Sequence, residues 1–125
     1  HVIVGKYAII GGLAAIHQFI HIGDHAMISG GSLVRKDVPP FTKAAKEPLS
    51  YVGINSVGLR RRGFSTEKIR EIQEIYRILY QKNYNTTQAI GIIEAEMEAT
   101  TERDEILDFI RNSSRGVMKG YTGNY

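Results

Sequence analysis

The fold of this chain is decided by residues 1–36, which read HVIVGKYAIIGGLAAIHQFIHIGDHAMISGGSLVRK. Aliphatic residues recur in this stretch at every sixth position: Val4, Ile10, Ile16, Ile22, Ile28 and Val34. Small residues follow four positions after most of them: Ala8, Ala14, Ala26 and Ser32. A period of six fits neither the 3.6-residue repeat of a helix nor the two-residue alternation of an amphipathic strand. The stretch is therefore a repeat of a six-residue unit.

Each unit is predicted to be a short strand followed by a tight corner, with the aliphatic side chain pointing into a narrow core. Glycine directly follows the aliphatic residue at Gly5, Gly11 and Gly23, where we expect it to supply the permissive backbone of the corner. Three units close one coil, and successive coils stack at the inter-strand spacing of about 4.8 Å. The predicted fold is a parallel β-helix of hexapeptide repeats.

The repeat is expected to end at Asp37-Val38-Pro39-Pro40, because consecutive prolines lack the N–H donors of a ladder. Two isolated coils bury too little apolar surface to offset the entropy of ordering their backbone. They need further coils, neighbouring subunits or a cap. Since the repeat is already in phase at His1, we expect missing coils upstream and interpret the chain as the C-terminal part of a longer protein.

The chain is predicted to have a mixed β and α fold in three segments. Residues 1–40 are assigned to the β-helix coils, residues 41–64 to a linker, and residues 65–125 to a helical domain. Within the linker we expect a loop over 41–50 and a short helix over 51–62. Three helices are predicted beyond it: one capped by Ser65, one over about 87–98, and one over about 102–112 with Thr101 as its cap. We expect these helices to cover the open last coil.

The composition and the charge distribution of the chain limit the classes of protein to which it can belong. The chain has no cysteine, which excludes disulfides and thiolate chemistry and is compatible with a reducing, cytoplasmic location. No apolar run approaches a membrane span and no signal peptide is visible, so we expect no stable membrane insertion. Residues 1–64 carry eight basic and three acidic residues, a balance of +5, whereas residues 65–125 carry eight and ten, a balance of −2. This asymmetry suits an acidic partner or a phosphate group, or merely a solvated rim; nucleic acid is disfavoured, because no aromatic residues interleave the basic ones.

One candidate site involves histidines. His17 stands where glycine is usual, directly after Ile16, which places its imidazole at a corner facing out of the coil. His1 and Phe19 are one coil apart, so His1, His17 and Gln18 are predicted to line one outer patch. Metal ligation is a weak interpretation, because no carboxylate or cysteine completes a ligand set. Exposed polar corners and a functional imidazole, acting as hydrogen-bond donor or base, both stay open.

The second candidate is Asn55 with the motif Gly58-Leu59-Arg60-Arg61-Arg62-Gly63-Phe64. Two of three adjacent arginines can converge on a diphosphate or carboxylate with bidentate geometry. Runs of arginine are also common on solvated surfaces, so the motif alone decides nothing.

Three stretches together resemble the bacterial acyl-[acyl-carrier-protein]–UDP-N-acetylglucosamine O-acyltransferases, which begin lipid A synthesis: residues 1–19, the 37–40 terminator and the 58–64 arginine motif. The resemblance covers nearly the whole chain. Its most specific part is the arginine motif with the following helix, which separates this family from the N-acyltransferase acting two steps later. It implies a left-handed parallel β-helix with a C-terminal helical domain, and a homotrimer whose active sites lie between subunits. It implies no cofactor and no metal.

The resemblance also implies a reaction, the transfer of an R-3-hydroxyacyl group from acyl carrier protein to the 3-hydroxyl of UDP-N-acetylglucosamine. By position, His1 and Gln18 resemble sugar-nucleotide contacts, and His17 resembles the histidine beside the acyl-donor path. The basic rim is expected to meet the acidic carrier protein.

The arginine motif carries over in the same way. Asn55 and Arg62 resemble contacts to the nucleotide or its diphosphate, and Arg61 resembles a second important arginine. Gly30 occupies the place of the family's hydrocarbon ruler, where a missing side chain leaves room for a longer acyl tail. The family can present an acid two positions after Asn55, but here Val57 stands instead, which puts a nucleotide contact at that position in doubt.

The family's catalytic base is a histidine one coil upstream of His1, so the chain alone is expected to be inactive. We predict direct transfer without an acyl-enzyme, because no cysteine or serine motif supplies a nucleophile, with the Gly11 or Gly12 amides as oxyanion donors. The alternatives are the N-acyltransferase of the same pathway and a non-catalytic β-helix scaffold for trimerisation.

Overall fold

Residues 1–36 form two coils of a parallel β-helix. The computed structural model describes residues 1–80 and 83–121. Six short strands make up the coils: β1 (Ile3–Val4), β2 (Ile9–Ile10), β3 (Ala15–Ile16), β4 (His21–Ile22), β5 (Met27–Ile28) and β6 (Leu33–Val34). Strand β1 pairs in parallel with β4, β2 with β5, and β3 with β6, so that every strand lies on the third strand before or after it. The predicted coil of three hexads is confirmed.

The coils have three corners, which we name after an exposed residue in each. In the Tyr7 corner, residues 5–8 stack on residues 23–26, and the His25 N–H donates to the Lys6 carbonyl. In the Leu13 corner, residues 11–14 stack on 29–32, and the Gly31 N–H donates to the Gly12 carbonyl. The Phe19 corner comprises residues 17–20, beside His1. Each corner therefore brings together residues that are one full coil apart in the sequence.

The left-handed backbone of these corners is carried mostly by residues with side chains. Positive φ angles of 60° to 74° recur at every sixth position: Tyr7, Leu13, Phe19, His25 and Gly31. The prediction that the glycines after the aliphatic residues supply this conformation is wrong.

Those glycines are required for a different reason, the close approach of stacked coils. A Cβ atom built at Gly11 would overlap the backbone of Gly30, and one at Gly23 would overlap Pro40. A side chain at either position would push the next coil away, so the glycine sets the spacing of the stack rather than the turn.

The core of the β-helix is buried at one end and open at the other. Ile22, Ile28 and Val34 are at most 1% exposed, whereas Val4 and Ile10 of the first coil are 47% and 37% exposed. The buried cluster is completed by Leu49 and Met118, which lie outside the helices, and no helical residue belongs to it. The expectation that helices cover the last coil is therefore only partly met: two irregular segments close its core, while helical residues pack against the coil at Phe41.

The coil continues beyond the prolines, contrary to prediction. Val38 bridges to Ile22, and strand β7 (Thr42–Ala45) pairs in parallel with β5. The Val38 and Phe41 N–H groups donate to the previous coil on either side of Pro39-Pro40, so the ladder loses only the two proline donors. Ile9 pairs with Met27, and Met27 pairs with Lys43. Fewer residues separate the second pair than the first, so the last coil is shorter than the one before it.

The segment predicted as a loop over 41–50 and a short helix over 51–62 contains a strand hairpin instead. Strand β8 (Ser50–Ile54) runs antiparallel to β7, and β9 (Lys119–Gly120) joins it in parallel. Only the last part of the segment is helical, as α1 (Ser56–Arg61), and Gly63 follows with a φ of +87°. Pairing with the edge of β7 decides the conformation of residues 50–54, because strand formation depends on neighbouring strands more than on local preference.

The three helices predicted beyond Gly63 are confirmed as α2 (Thr66–Tyr80), α3 (Thr86–Glu96) and α4 (Thr101–Arg111). The Ser65 hydroxyl accepts the Lys68 N–H as expected, whereas Thr100, not Thr101, caps α4. A second buried cluster joins these helices to Phe41, Ile54 and Leu59. The division of the chain at residues 40 and 64 stays a prediction.

Tyrosines fasten α2 to the end of the β-helix. Tyr51, Tyr76 and Tyr80 stack with centroid separations of 4.4 to 6.1 Å. The Tyr76 hydroxyl donates to the Pro40 carbonyl and the Tyr80 hydroxyl to the Met118 carbonyl, both at 2.6 Å. The helices are thereby held in a fixed orientation relative to the corners, which positions α1.

Candidate functional site

A cavity of about 430 Å³ lies between the Tyr7 corner and helix α1. It is lined by Tyr7, Ala8, Ile9, His25, Asn55, Gly58, Arg61 and Arg62. It brings together three of the predicted site residues, Asn55, Arg61 and Arg62, with two that the sequence analysis missed, Tyr7 and His25. Those two occupy equivalent positions in successive coils, so the rule that paired His1 with Phe19 would also have found them.

Asn55 holds α1 against the corner. Its side chain is 4% exposed; its Nδ2 donates to the His25 carbonyl at 3.0 Å, and its Oδ1 accepts the Gly58 N–H at 3.2 Å. The second bond caps the helix. The geometry therefore gives Asn55 a structural task at the base of the cavity, and its predicted contact with a nucleotide stays a prediction.

The two arginines supply the positive charge of the cavity. The Arg62 Cζ lies 4.0 Å from the centroid of the Tyr7 ring, and Arg61 also lines an adjoining cavity of about 310 Å³ with Lys43 and Val57. Within the described part of the chain, no carboxylate forms a salt bridge with either arginine. Their guanidinium groups are therefore available to an anionic ligand.

His25 lies at the back of the cavity inside an aromatic cluster. Its ring centroid is 5.1 Å from those of Tyr7 and Phe64 and 5.8 Å from that of Phe41. Burial lowers the pKa of His25; the Asp24 carboxylate opposes this effect and the Arg62 guanidinium adds to it. Burial in this cluster therefore favours the neutral imidazole.

The histidine candidates lie at a different place, the Phe19 corner. His1, His17 and Gln18 are all exposed. The His1 ring stacks on Phe19 at 5.5 Å, and the guanidinium of Arg115 lies 5.7 Å from the Phe19 centroid. Arg115 was not singled out from the sequence, because only the fold brings the end of the chain to this corner.

Gly30 lies at the third, Leu13 corner. A Cβ at Gly30 would lie 3.1 Å from the Gly12 carbonyl oxygen, a tight contact that a shift of a few tenths of an ångström would relieve; the role of Gly30 as an acyl ruler stays a prediction. The Gly11 N–H donates to the Ile28 carbonyl at 2.8 Å. It is therefore unable to serve as the predicted oxyanion donor.

A larger cavity, of about 520 Å³, lies between the β-helix and α4. Among its described lining residues are Asp24, Glu105 and Asp108 but no lysine or arginine, and His21 packs on Phe109 there at 4.8 Å. Burial raises the pKa of Glu105 to about 7, with the Asp24 carboxylate adding to the effect. This acidic surface disfavours an anionic substrate, so the smaller arginine-lined cavity is the better candidate.

Within residues 1–80 and 83–121, no group of three histidine, cysteine, aspartate or glutamate residues is placed to hold a metal ion. None of the helices in those ranges is long and apolar enough to cross a membrane.

Comparisons of the sequence and of the structure with known proteins point to the same family. A family model described as UDP N-acetylglucosamine O-acyltransferase, domain 2, matches residues 37–118. Curated O-acyltransferases named for acyl-[acyl-carrier-protein] and UDP-N-acetylglucosamine are similar: that of Myxococcus xanthus is 42% identical over 90% of this chain and 44% of its own length. That of Thiobacillus denitrificans is 37% identical over 95% of this chain and 46% of its own length.

Solved structures agree. A UDP-N-acetylglucosamine acyltransferase from Bacteroides fragilis superposes with a TM-score of 0.92 at 47% identity, over 94% of this chain and 46% of that one. The expected fold, the end of a left-handed parallel β-helix followed by helices, is confirmed. The chain spans about half the length of the relatives it matches.

Proposed function

This chain belongs to the UDP-N-acetylglucosamine O-acyltransferase family, and from that premise we propose that its full-length gene product is an acyltransferase of lipid A synthesis. It transfers an R-3-hydroxyacyl group from acyl carrier protein to the 3-hydroxyl of UDP-N-acetylglucosamine, in the cytoplasm. The names of the relatives support the two substrates. Because the chain spans only half of those proteins, the activity is proposed for the full-length product.

The observation that carries this proposal is the cavity between the Tyr7 corner and α1. Arg61 and Arg62 face it without a carboxylate partner in the described chain, and guanidinium groups bind diphosphates in a bidentate manner. Asn55 fixes helix α1, which ends at Arg61 and is followed by Arg62. This arrangement suits the diphosphate of a nucleotide sugar.

The proposed chemistry is a single displacement. A histidine base, expected one coil upstream by resemblance to the family, takes the proton of the sugar 3-hydroxyl. The hydroxyl oxygen attacks the thioester carbonyl, the C–S bond breaks, and the thiolate of the carrier is protonated. His17 is proposed to lie beside the acyl donor, and Gly30 to leave room for the acyl tail.

The homotrimer that the resemblance to the family implies is proposed here, and the separation of the two groups of candidates supports sites between its subunits. His1, His17 and Gln18 belong to the Phe19 corner, whereas Asn55, Arg61 and Arg62 adjoin the Tyr7 corner. No hydrogen bond or ring contact among the described residues joins the two groups. If they serve one substrate, a neighbouring subunit must supply one group, which supports sites between subunits.

The test is acyl transfer by the full-length gene product. R-3-hydroxyacyl carrier protein is offered with UDP-N-acetylglucosamine or with its 3-O-acylated glucosamine derivative. Transfer to the first is expected. Transfer only to the second would make the protein an N-acyltransferase, and transfer to neither would favour a non-catalytic scaffold.

The arginine pocket is tested with a matched pair of variants. Arg62→Gln is expected to raise KM for UDP-N-acetylglucosamine about tenfold or more, because a charge-assisted bidentate contact is lost. Arg60→Gln removes a neighbouring charge of α1 that lines neither arginine cavity, so its KM should change little. Equal effects of the two variants would indicate a diffuse field instead of a bound diphosphate.

A further inference from the structure

We propose that Tyr7 is a positioning residue for Arg62, so that ring and guanidinium act as one unit in binding the diphosphate of a nucleotide. The inference rests on the proposed function. Its basis is the 4.0 Å separation between the Arg62 Cζ and the Tyr7 ring centroid. That distance is well inside the range in which an aromatic ring attracts a cation.

The Tyr7 ring is itself held in place. Its backbone has a φ of 60°, fixed by the corner, and its ring packs on His25 at 5.1 Å. His25 in turn packs on Phe64 at 5.1 Å, edge to face. Because Arg62 and Phe64 both follow closely after α1, one aromatic cluster connects the coil corner to the segment that bears Arg62.

Arg62 depends on this ring for its orientation. It is exposed and has no salt-bridge partner in the described chain, so nothing else charged restrains its long side chain. Stacking uses the face of the guanidinium and leaves its N–H edge free for phosphate oxygens. A pre-ordered guanidinium loses less entropy on binding, which raises affinity without a new contact to the ligand.

The first experiment is a double-mutant cycle in the full-length gene product, with UDP binding measured by calorimetry. Tyr7→Leu removes the ring without disturbing the corner, because Leu13 already adopts a φ of 60° at the equivalent position. We expect it to weaken binding by about three- to tenfold. Tyr7→Phe keeps the ring and should restore most of the affinity.

In the Arg62→Gln background, Tyr7→Leu should cost nothing further, because the group that it positions is gone. A loss of the same size in both backgrounds would mean that Tyr7 acts independently of Arg62 and would overturn the inference. So would unchanged affinity in the single Tyr7→Leu variant.

His25 provides a readout that needs no nucleotide. Burial is the main cause that lowers the pKa of His25, and the Arg62 charge lowers it further, so a change in that pKa measured by NMR contains a contribution from the position of the guanidinium. Tyr7→Leu should raise it more in the wild-type background than in Arg62→Gln, because only the former has a guanidinium to release. Equal shifts would show that Tyr7 does not position Arg62. If the wild-type protein binds no UDP, the proposed function fails, while this cycle still decides the link between the two residues.

Discussion

Three residues at the corners have a strained backbone and a ring that contacts another aromatic ring or a cationic side chain. Tyr7, Phe19 and His25 occupy the left-handed region, which disfavours residues with a Cβ, yet glycine is not used. Each bears a ring that packs on another functional candidate, such as Arg62 or His1. Strained positions persist where surrounding structure over-determines them, and they concentrate at functional sites.

Glu105 gives a pH-dependent prediction at the same scale. Its pKa is raised from 4.5 to about 7 by burial and by Asp24, so the folded state holds a proton that the unfolded state releases. This contribution to stability is full below about pH 4.5 and is lost as the pH rises through about 7. Glu105→Gln removes the dependence and should leave the protein about 1–2 kcal/mol more stable at pH 8, allowing for solvent screening.

The measurement is the denaturant midpoint of the wild type and the variant between pH 4 and pH 8. Glu98→Gln, which removes an exposed carboxylate, serves as the control and should follow the wild-type curve. A Glu105→Gln curve that runs parallel to the wild type at every pH would contradict the prediction.

At the scale of elements, the sequence predicts those strands and helices whose residues follow one regular repeat. The sixfold recurrence of aliphatic residues defines the coil, and the apolar stripe with its Ser65 cap defines α2. Strands β7 and β8 were missed, because they form only where an exposed ladder edge offers partners to residues 42–54. The candidate site shows the same difference. Arg61 and Arg62 were predicted because they are adjacent in the chain, whereas Tyr7 was missed because it meets Arg62 only through the packing of α1.

The stacking role of glycine can be tested with two neighbouring positions. A Cβ at Gly11 would overlap Gly30, whereas one at Gly12 would meet nothing within 4 Å. We therefore expect Gly11→Ala to destabilise the protein by about 1–3 kcal/mol through overpacking. Gly12→Ala should be neutral or slightly stabilising, since alanine restricts the unfolded chain.

Thermal and denaturant unfolding of the full-length product would measure both variants. Equal losses would mean that the Leu13 corner needs flexible backbone at both positions rather than close approach at one.

The molecule as a whole presents its candidate groups at separate corners, and this leads to a test of assembly. At a UDP-N-acetylglucosamine concentration below the wild-type KM, His17→Ala and Arg62→Gln are each expected to have at most about a tenth of the wild-type activity alone. If one site takes His17 from one subunit and Arg62 from the next, every mixed trimer formed by co-expression has one complete site of three, so mixed trimers should regain about a third of the wild-type activity.

Acyl-transfer activity of the purified mixed trimers, carrying two different tags, provides the measurement. Each variant alone with both tags is the control. Mixed trimers as inactive as the controls would place both groups of a site on the same chain.

The register of three hexads per coil has a consequence for how such a protein can change in length. An upstream insertion of three hexads adds one complete coil and leaves every corner of this chain facing the same direction. An insertion of a single hexad turns the upstream coils by one face of the triangle and separates residues that share a corner. Homologues are therefore expected to differ in length by complete coils, so that a protein with more coils still presents Tyr7 and Arg62 to the same neighbouring subunit.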